Sequence, residues 1–370
     1  MLRLKLNRSI DFKPLMVYNV NMENLFTKLD AIIVLSPSNL FYFTGYANED
    51  AAVVLTKEKK YYVCDKRTSE EAGELLKDFE IVDIGKLGYA TTAKNLVKKL
   101  KCKKVGYEDC SIKYKHFKEI SDKGVFNSYK LCPASQLISD LRSVKKDYEL
   151  DLMRKAQAIT DKVFIDTLDY IKPGMTELEV ASFMNSKTYA YGGELAFAPI
   201  VAFGKNTSKP HAHPGNNVLQ ENDVVTLDFG AKYNGYCSDM TRSFVVGTAP
   251  EGYVEVYNAV LEAQETAIKN LKAGIKGKDG DAIARNVLKE KGYGEYFTHS
   301  LGHSLGVDVH ESPGLTPRCE EIIPEGSVLS VEPGVYIEGK YGVRIEDIVL
   351  FQKSGVDNLT NSNKNLIILK

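Results

Sequence analysis

V-V-T-L-D-F-G-A-K-Y-N-G-Y-C-S-D-M-T-R, from Val224 to Arg242, is the stretch whose reading decides how this chain folds. Asn234-Gly235 is the strongest short signal for a two-residue hairpin loop, and alternating runs flank it on both sides. With that loop, Tyr233 faces Tyr236, Gly230 faces Asp239 and Asp228 faces Thr241. Side chains directly opposite share a face, and so do i, i+2 neighbours along a strand. Asp228 and Asp239 become diagonal neighbours on one face, about 7–8 Å apart at the backbone. Carboxylates reaching inward from there can meet at one metal pair, with the Thr241 hydroxyl beside them. Taken alone, the pair reads equally well as two surface acids beside a turn.

Three more residues further along the chain bear on that choice. The segment H-S-L-G-H-S-L-G-V-D-V-H-E, His299 to Glu311, carries three of the six histidines in the chain within an apolar, glycine-containing run. Glu332-Pro333 ends a short apolar run, since a residue before proline is held extended. Arg344 and Glu346 lie two apart on V-R-I-E-D-I-V-L and so share a face. Acids inside so apolar a run are not left unpaired without cost. Asp228, Asp239, His303, Glu332 and Glu346 together read as a ligand set for two divalent metals. Four carboxylates and one imidazole suit manganese or a similar hard ion better than a thiolate-loving one. Two such ions roughly 3.5–4 Å apart can hold a hydroxide and polarise a carbonyl together, as peptide hydrolysis requires.

Composition excludes several other classes. A chain of 370 residues with 44% hydrophobic and 26% charged content is that of an ordinary globular protein with two to three domains. A net charge of −1 leaves no electrostatic footprint for nucleic acid or an anionic membrane. The apolar runs fall short of the ~20 residues that a spanning helix needs. M-L-R-L-K-L-N-R-S-I, Met1 to Ile10, has no apolar core long enough for a signal peptide. Six cysteines without C-x-x-C spacing read as reduced thiols, which points to the cytoplasm.

Along the first part of the chain, strand and helix signals alternate. Ala31–Leu35, Ala51–Leu55, Tyr61–Val63, Ile81–Ile84 and Val105–Tyr107 have strand length. Ser69–Phe79 and Thr92–Leu100 have helical length, with Thr68 and Thr91 as N-caps. The alternation predicts an α/β domain over residues 1–128, without a glycine-rich phosphate loop. From Val144 the period changes. Lys145–Ile171 is spaced as a helix and stopped by Lys172-Pro173-Gly174, and Thr176 with Glu179 forms a capping box. Helices are also expected around Val254–Leu271 and Gly280–Lys291, between the strand-rich candidate ligand segments.

The segment from about Leu141 to Leu350 resembles the metallopeptidases of the pita-bread fold, the group that holds methionine aminopeptidase, aminopeptidase P and prolidase. The resemblance rests on P-H-A-H-P at Pro210–Pro214, on Asp228–Arg242, on His299–Glu311, on S-V-E-P-G at Ser330–Gly334 and on R-I-E-D at Arg344–Asp347. It implies an α+β pita-bread catalytic domain over residues 129–370, with a weak internal two-fold. The first domain would be of the creatinase/prolidase N-terminal type. By resemblance, Asp228 chelates one metal, His303 and Glu332 serve the other, and Asp239 and Glu346 bridge the two. The metal-bridging water or hydroxide attacks the scissile carbonyl, and Glu332 is the general base and proton carrier. His211 and His310 match the two family histidines that contact the substrate, while His213 is an extra histidine read as solvated. Arg344 orients Asp228, and Thr241 hydrogen-bonds a ligand carboxylate. Two divalent ions per subunit are implied, manganese first, with cobalt, zinc or iron as the other candidates.

The separate first domain argues against methionine aminopeptidase, and intact candidate ligands argue against creatinase. What remains is cleavage before proline: Xaa-Pro dipeptides for prolidase, longer peptides for aminopeptidase P. The run L-R-S-V-K-K-D-Y-E-L, Leu141 to Leu150, looks like microbial prolidases and favours the first. Prolidases are commonly homodimers, which implies a dimer whose first domain limits substrate length at the neighbour's site. Non-catalytic pita-bread binding modules form another class. Those generally lose ligands and carry charged tails, whereas this sequence keeps all five and ends at Ile367–Lys370.

Overall fold

The computed structural model describes residues 23–122 and 129–370 of the chain. Met1–Ile10 and the expected domain boundary after residue 128 lie outside the described residues. Two compact units are present, Met1–Ile138 and Ser139–Lys370.

The first unit is built on a six-stranded sheet. In spatial order its strands are Phe79–Asp83, Lys60–Cys64, Ala52–Thr56, Ala31–Val34, Lys104–Tyr107 and Lys130–Pro133. The two central strands, Ala52–Thr56 and Ala31–Val34, are buried along their whole length, so they read as continuous apolar runs instead of alternating ones. Each expected strand is present to within about two residues, a normal margin for element ends. The helices differ more. The one expected from Thr92 begins at Tyr89, with Gly88 at its N-cap, so Thr91 lies inside it. The one expected through Phe79 ends at Leu75, because Phe79 pairs with Lys60 and starts a strand. Thr68 sits at the N-cap position but makes no capping hydrogen bond from its side chain.

The second unit repeats one plan twice, as the resemblance implied. A helix pair, Asp147–Tyr170 and Glu177–Ala190, packs on the four-stranded sheet of Ile200–Phe203, Val224–Phe229, Met240–Val246 and Ile368–Leu369. A second pair, Tyr253–Asn270 and Gly277–Glu290, belongs to the core formed with Val328–Val331, Tyr341–Arg344 and Asp347–Gln352. The capping box is formed: Glu179 N donates to Thr176 Oγ1 at 3.2 Å, and Thr176 N donates to Glu179 Oε2 at 2.7 Å. The fourth helix starts three residues before the expected Gly280, at Gly277. A β-carbon at 277 would lie 2.2 Å from the Gly314 carbonyl oxygen, so only glycine fits there.

Candidate metal centre

The hairpin has the register that its turn dictates. Tyr233 pairs with Tyr236 and Asp228 with Thr241, so both ends of the hairpin keep one register, while Gly230, Ser238 and Asp239 lie outside the paired strands. Asn234 and Gly235 both have positive φ, 44° and 84°, as a two-residue type I′ loop demands. At Gly230 the two backbones come so close that an added β-carbon would lie 1.9 Å from the Ser238 carbonyl oxygen. That approach brings the segment carrying Asp239 in beside Asp228.

The other candidate ligands come from the opposite half of the unit. His303 lies on the short strand Gly302–Ser304, and its N–H donates to Ser330 Oγ at 3.0 Å. Ser330 Oγ in turn donates to Glu332 Oε1 at 3.1 Å, so one hydroxyl sets two candidate ligands. Glu346 sits between two strands; its N–H donates to the Thr241 carbonyl at 3.1 Å and its carboxylate accepts from Thr241 Oγ1 at 2.7 Å. Asp239, His303 and Glu346 each offer a ligand atom within 4.8 Å of the others. Glu332 Oε1 lies 3.3 Å from His303 Nε2, and Asp239 Oδ2 lies 3.7 Å from it. Asp228 is joined to this group through Arg344, whose Nη2 is 2.7 Å from Asp228 Oδ2.

The electrostatics of these groups fit a cation. Burial, followed by the charge of Asp228, raises the Asp239 carboxyl well above its ordinary value. Burial, followed by the charges of Asp239, Glu332 and Asp228, does the same to Glu346. Burial opposes the charged form of His303, yet Glu332 and Asp239 hold its pKa up at about 9. Asp239 Oδ1 is buried and has no hydrogen-bond partner among the described residues. Such an orphaned oxygen is costly in a dry interior. His303 Nδ1 lies 3.2 Å from the Ser304 carbonyl, which can only accept, so Nδ1 carries the proton and Nε2 faces the acids. The residues present therefore suit a hard divalent ion.

Around this group runs a relay that starts with the expected Arg344 and Thr241 contacts and extends through Tyr336 to His299, which the sequence did not reveal. Arg344 donates to Asp228 at 2.7 Å, to Thr241 Oγ1 at 3.0 Å and to the Tyr336 hydroxyl at 2.6 Å. Tyr336 lies 2.9 Å from His299 Nε2, while His299 Nδ1 lies 2.8 Å from the Ser300 carbonyl. In its neutral form His299 donates from Nδ1 and accepts from the Tyr336 hydroxyl at Nε2, and burial favours that form by lowering its pKa. The three-histidine run was a signal for His299, but Tyr336 had none. Arg242, 1% exposed, backs the segment of Glu346: it donates to the Glu346 carbonyl at 2.5 Å and to Asp347 at 2.7 Å.

Three histidines are exposed among the described residues. His310 is exposed, with its ring centroid 4.2 Å from that of His303. His211 is exposed as well, and is close enough that its charge helps to lower the His310 pKa, after burial and His303. His213 is exposed beside it. The loop carrying both is clamped by Glu177, 1% exposed, which accepts from Phe203 N at 2.9 Å and Gly215 N at 3.0 Å.

Both units of the chain resemble known proteins. The family described as Metallopeptidase family M24 matches residues 151–353, and the Creatinase/Prolidase N-terminal domain matches residues 23–144. The chain is 37% identical to the Uncharacterized peptidase YqhT of Bacillus subtilis, covering 94% of this chain and 99% of the relative. It is similar to the Xaa-Pro dipeptidase from Bacillus anthracis, with TM-score 0.88, 36% identity and coverage of 92% and 95% of the two chains. It is also similar to the X-Pro aminopeptidase from Thermotoga maritima, with TM-score 0.85, 33% identity and coverage of 92% and 98%.

Proposed function

We propose that this chain, which belongs to Metallopeptidase family M24, hydrolyses the peptide bond preceding proline, with Xaa-Pro dipeptides as its preferred substrates. The observation that carries this reading is the meeting of Asp239, His303 and Glu346 within 4.8 Å, in a chain similar to an Xaa-Pro dipeptidase. Asp228, Asp239, His303, Glu332 and Glu346 would hold two divalent ions, manganese first. When bound, such ions polarise the scissile carbonyl and make water acidic enough to attack it near neutral pH. Glu332 takes the proton released by the attacking water and passes it to the departing proline nitrogen. That nitrogen carries no hydrogen in the peptide, so it must gain one to leave as a secondary amine. His211 and His310 hold the substrate carbonyl and stabilise its developing negative charge. Arg344 keeps Asp228 oriented, and Thr241 does the same for Glu346.

Among the described residues no helix is long and apolar enough to cross a membrane. A homodimer in the cytoplasm, acting on small peptides and not on nucleic acid, completes the proposal. The similarity to the Thermotoga maritima X-Pro aminopeptidase supports a second reading, cleavage of longer Xaa-Pro peptides. A panel of Xaa-Pro dipeptides, Xaa-Pro-Yaa tripeptides and Met-Ala-Xaa peptides, with Mn²⁺ and with Co²⁺, separates them. Dipeptides are expected to give the highest kcat/KM. Equal cleavage of tripeptides moves the assignment to aminopeptidase P, and preference for Met-Ala-Xaa discards cleavage before proline. Asp239→Ala is expected to abolish turnover and reduce the content of both metals, measured by elemental analysis. Full metal content with normal turnover would remove Asp239 from the bridge.

A further inference from the structure

The fold takes both cations of L-R-S-V-K, Leu141 to Lys145, out of water. The Lys145 side chain is 1% exposed and that of Arg142 is 11% exposed. Both converge on Glu311, whose side chain is 5% exposed. Lys145 Nζ lies 3.0 Å from Glu311 Oε2 and donates to the Arg142 carbonyl at 2.7 Å. Arg142 donates to Glu311 Oε1, and to Asp308 Oδ2 at 2.7 Å. The Asp308 N–H donates to the same Glu311 Oε1 at 3.1 Å. Each carboxylate oxygen thus has its own fixed donors, and the carboxylate ties Asp308 to Glu311 across the segment between them.

That segment carries His310. The His310 ring makes no hydrogen bond among the described residues and packs at a tilt on the His303 ring, 4.2 Å between centroids, so its place depends strongly on the backbone that bears it. The backbone is held on its other side by the ligand hairpin: Cys237 N donates to the Gly306 carbonyl at 2.7 Å, and Gly306 N donates to the Asp308 carbonyl at 2.9 Å. A β-carbon at Gly306 would lie 3.0 Å from the Glu311 carboxylate and 3.1 Å from Lys145 Cε, so the cluster packs directly beneath this turn. We infer that Arg142, Lys145 and Glu311 form a positioning cluster that fixes the Gly306–Glu311 turn and so places His310 against the substrate. The inference rests on the reading of His310 as a substrate contact given above.

The physical argument is one of alternatives. A buried ion cluster gains little stability over well-packed apolar side chains of the same volume, so stability does not require it. What apolar side chains cannot supply is a single turn geometry, because they impose no donor–acceptor directions. A displacement of about 1 Å at a reacting group costs roughly 100-fold in rate.

The test replaces all three charges at once, in the metal-loaded full chain. Arg142→Met, Lys145→Met and Glu311→Leu together are expected to leave a folded protein with full metal content. Its kcat on an Xaa-Pro dipeptide should fall roughly 100-fold. Built into His310→Ala, the same triple change should cost almost nothing further, since a positioning residue has nothing left to position. A triple variant with parental kcat, or an equal loss with and without His310, overturns the inference. His310→Ala alone with unchanged turnover overturns the substrate-contact reading, and the cluster's role falls with it. If the triple variant does not fold, Arg142→Lys takes its place, because it keeps the charge and loses the bridge from Glu311 to Asp308. An approximately tenfold fall in kcat that vanishes in the His310→Ala background supports the inference, and no fall overturns it.

Discussion

At the scale of single residues, Arg344 does the most. Its guanidinium reaches Asp228, the Thr241 hydroxyl and the Tyr336 hydroxyl, so one planar fork sets a candidate ligand and two relays at once. Thr241 accepts from Arg344 and donates onward to Glu346, and this order fixes which way its hydrogen points. Lysine would keep the charge but offers a point instead of a fork, so Arg344→Lys is not conservative here. The expected outcome is a fall of about 10–100-fold in metal affinity, with a matching fall in kcat/KM. Calorimetric titration of the metal-stripped protein with Mn²⁺ measures the first, and steady-state kinetics the second. Wild-type values in both would show that Asp228 needs no such support.

At the scale of elements, the centre depends on backbones that approach more closely than side chains allow. Gly230 faces the Ser238 carbonyl and Gly302 faces the Ser330 carbonyl, each with 1.9 Å between a built β-carbon and that oxygen. The first contact seats the strand end before Asp239, and the second seats the strand bearing His303. Gly302→Ala must push Gly302–Ser304 away from Val328–Val331, which is overpacking of a kind that costs about 1–3 kcal/mol. Urea unfolding is expected to show that loss together with reduced Mn²⁺ content. An alanine variant as stable and as metal-rich as its parent would mean that the two strands can separate freely. The clamp made by Glu177 belongs to this scale too, since one helix-start carboxylate closes both ends of the loop bearing His211.

At the scale of the whole molecule, titration and metal content are linked. Asp239 and Glu346 have folded-state values raised by burial and by neighbouring carboxylates. Acids raised in this way contribute stability below their unfolded values and lose it as pH rises through the folded ones. His303, held at about 9 by Glu332 and Asp239 against burial, follows the same direction. Glu311 runs the opposite way: burial opposes its charge, yet Lys145 and Arg142 hold its pKa down at about 2. Its contribution is present above about 4.5 and lost as pH falls toward 2. The lowered pKa values of His299 and His310 oppose the gain from His303, Asp239 and Glu346 in the histidine range. Chelator-stripped protein is therefore expected to gain thermal stability from about pH 8 to about pH 5 only by the excess of the latter three over those two, then lose it below about 4.5. Metal-loaded protein should lack the first gain, because bound cations replace the protons. Steady loss of stability from about pH 8 to about pH 5 in the stripped protein would contradict this linkage.

The amino-acid sequence alone determined what local rules can carry. An Asn-Gly loop admits one pairing, so the facing of Asp228 and Thr241 followed from the turn. Spacing likewise set the long helix from Asp147 to Tyr170, and the Thr176–Glu179 box set the start of the next. Where two elements compete, spacing was not enough: Phe79 looked like the end of a helix and became the start of a strand through its pairing with Lys60. Only the tertiary structure joined His299 to Arg344 through Tyr336, Glu177 to the His211 loop, and Arg142 and Lys145 to Glu311. These contacts span up to 169 residues of chain, and a buried cation or carboxylate leaves no periodic trace of its partner. Periodicity reports which face of an element is buried. What is buried against that face is decided when the elements pack, because only there does desolvation force each polar group to find a particular partner.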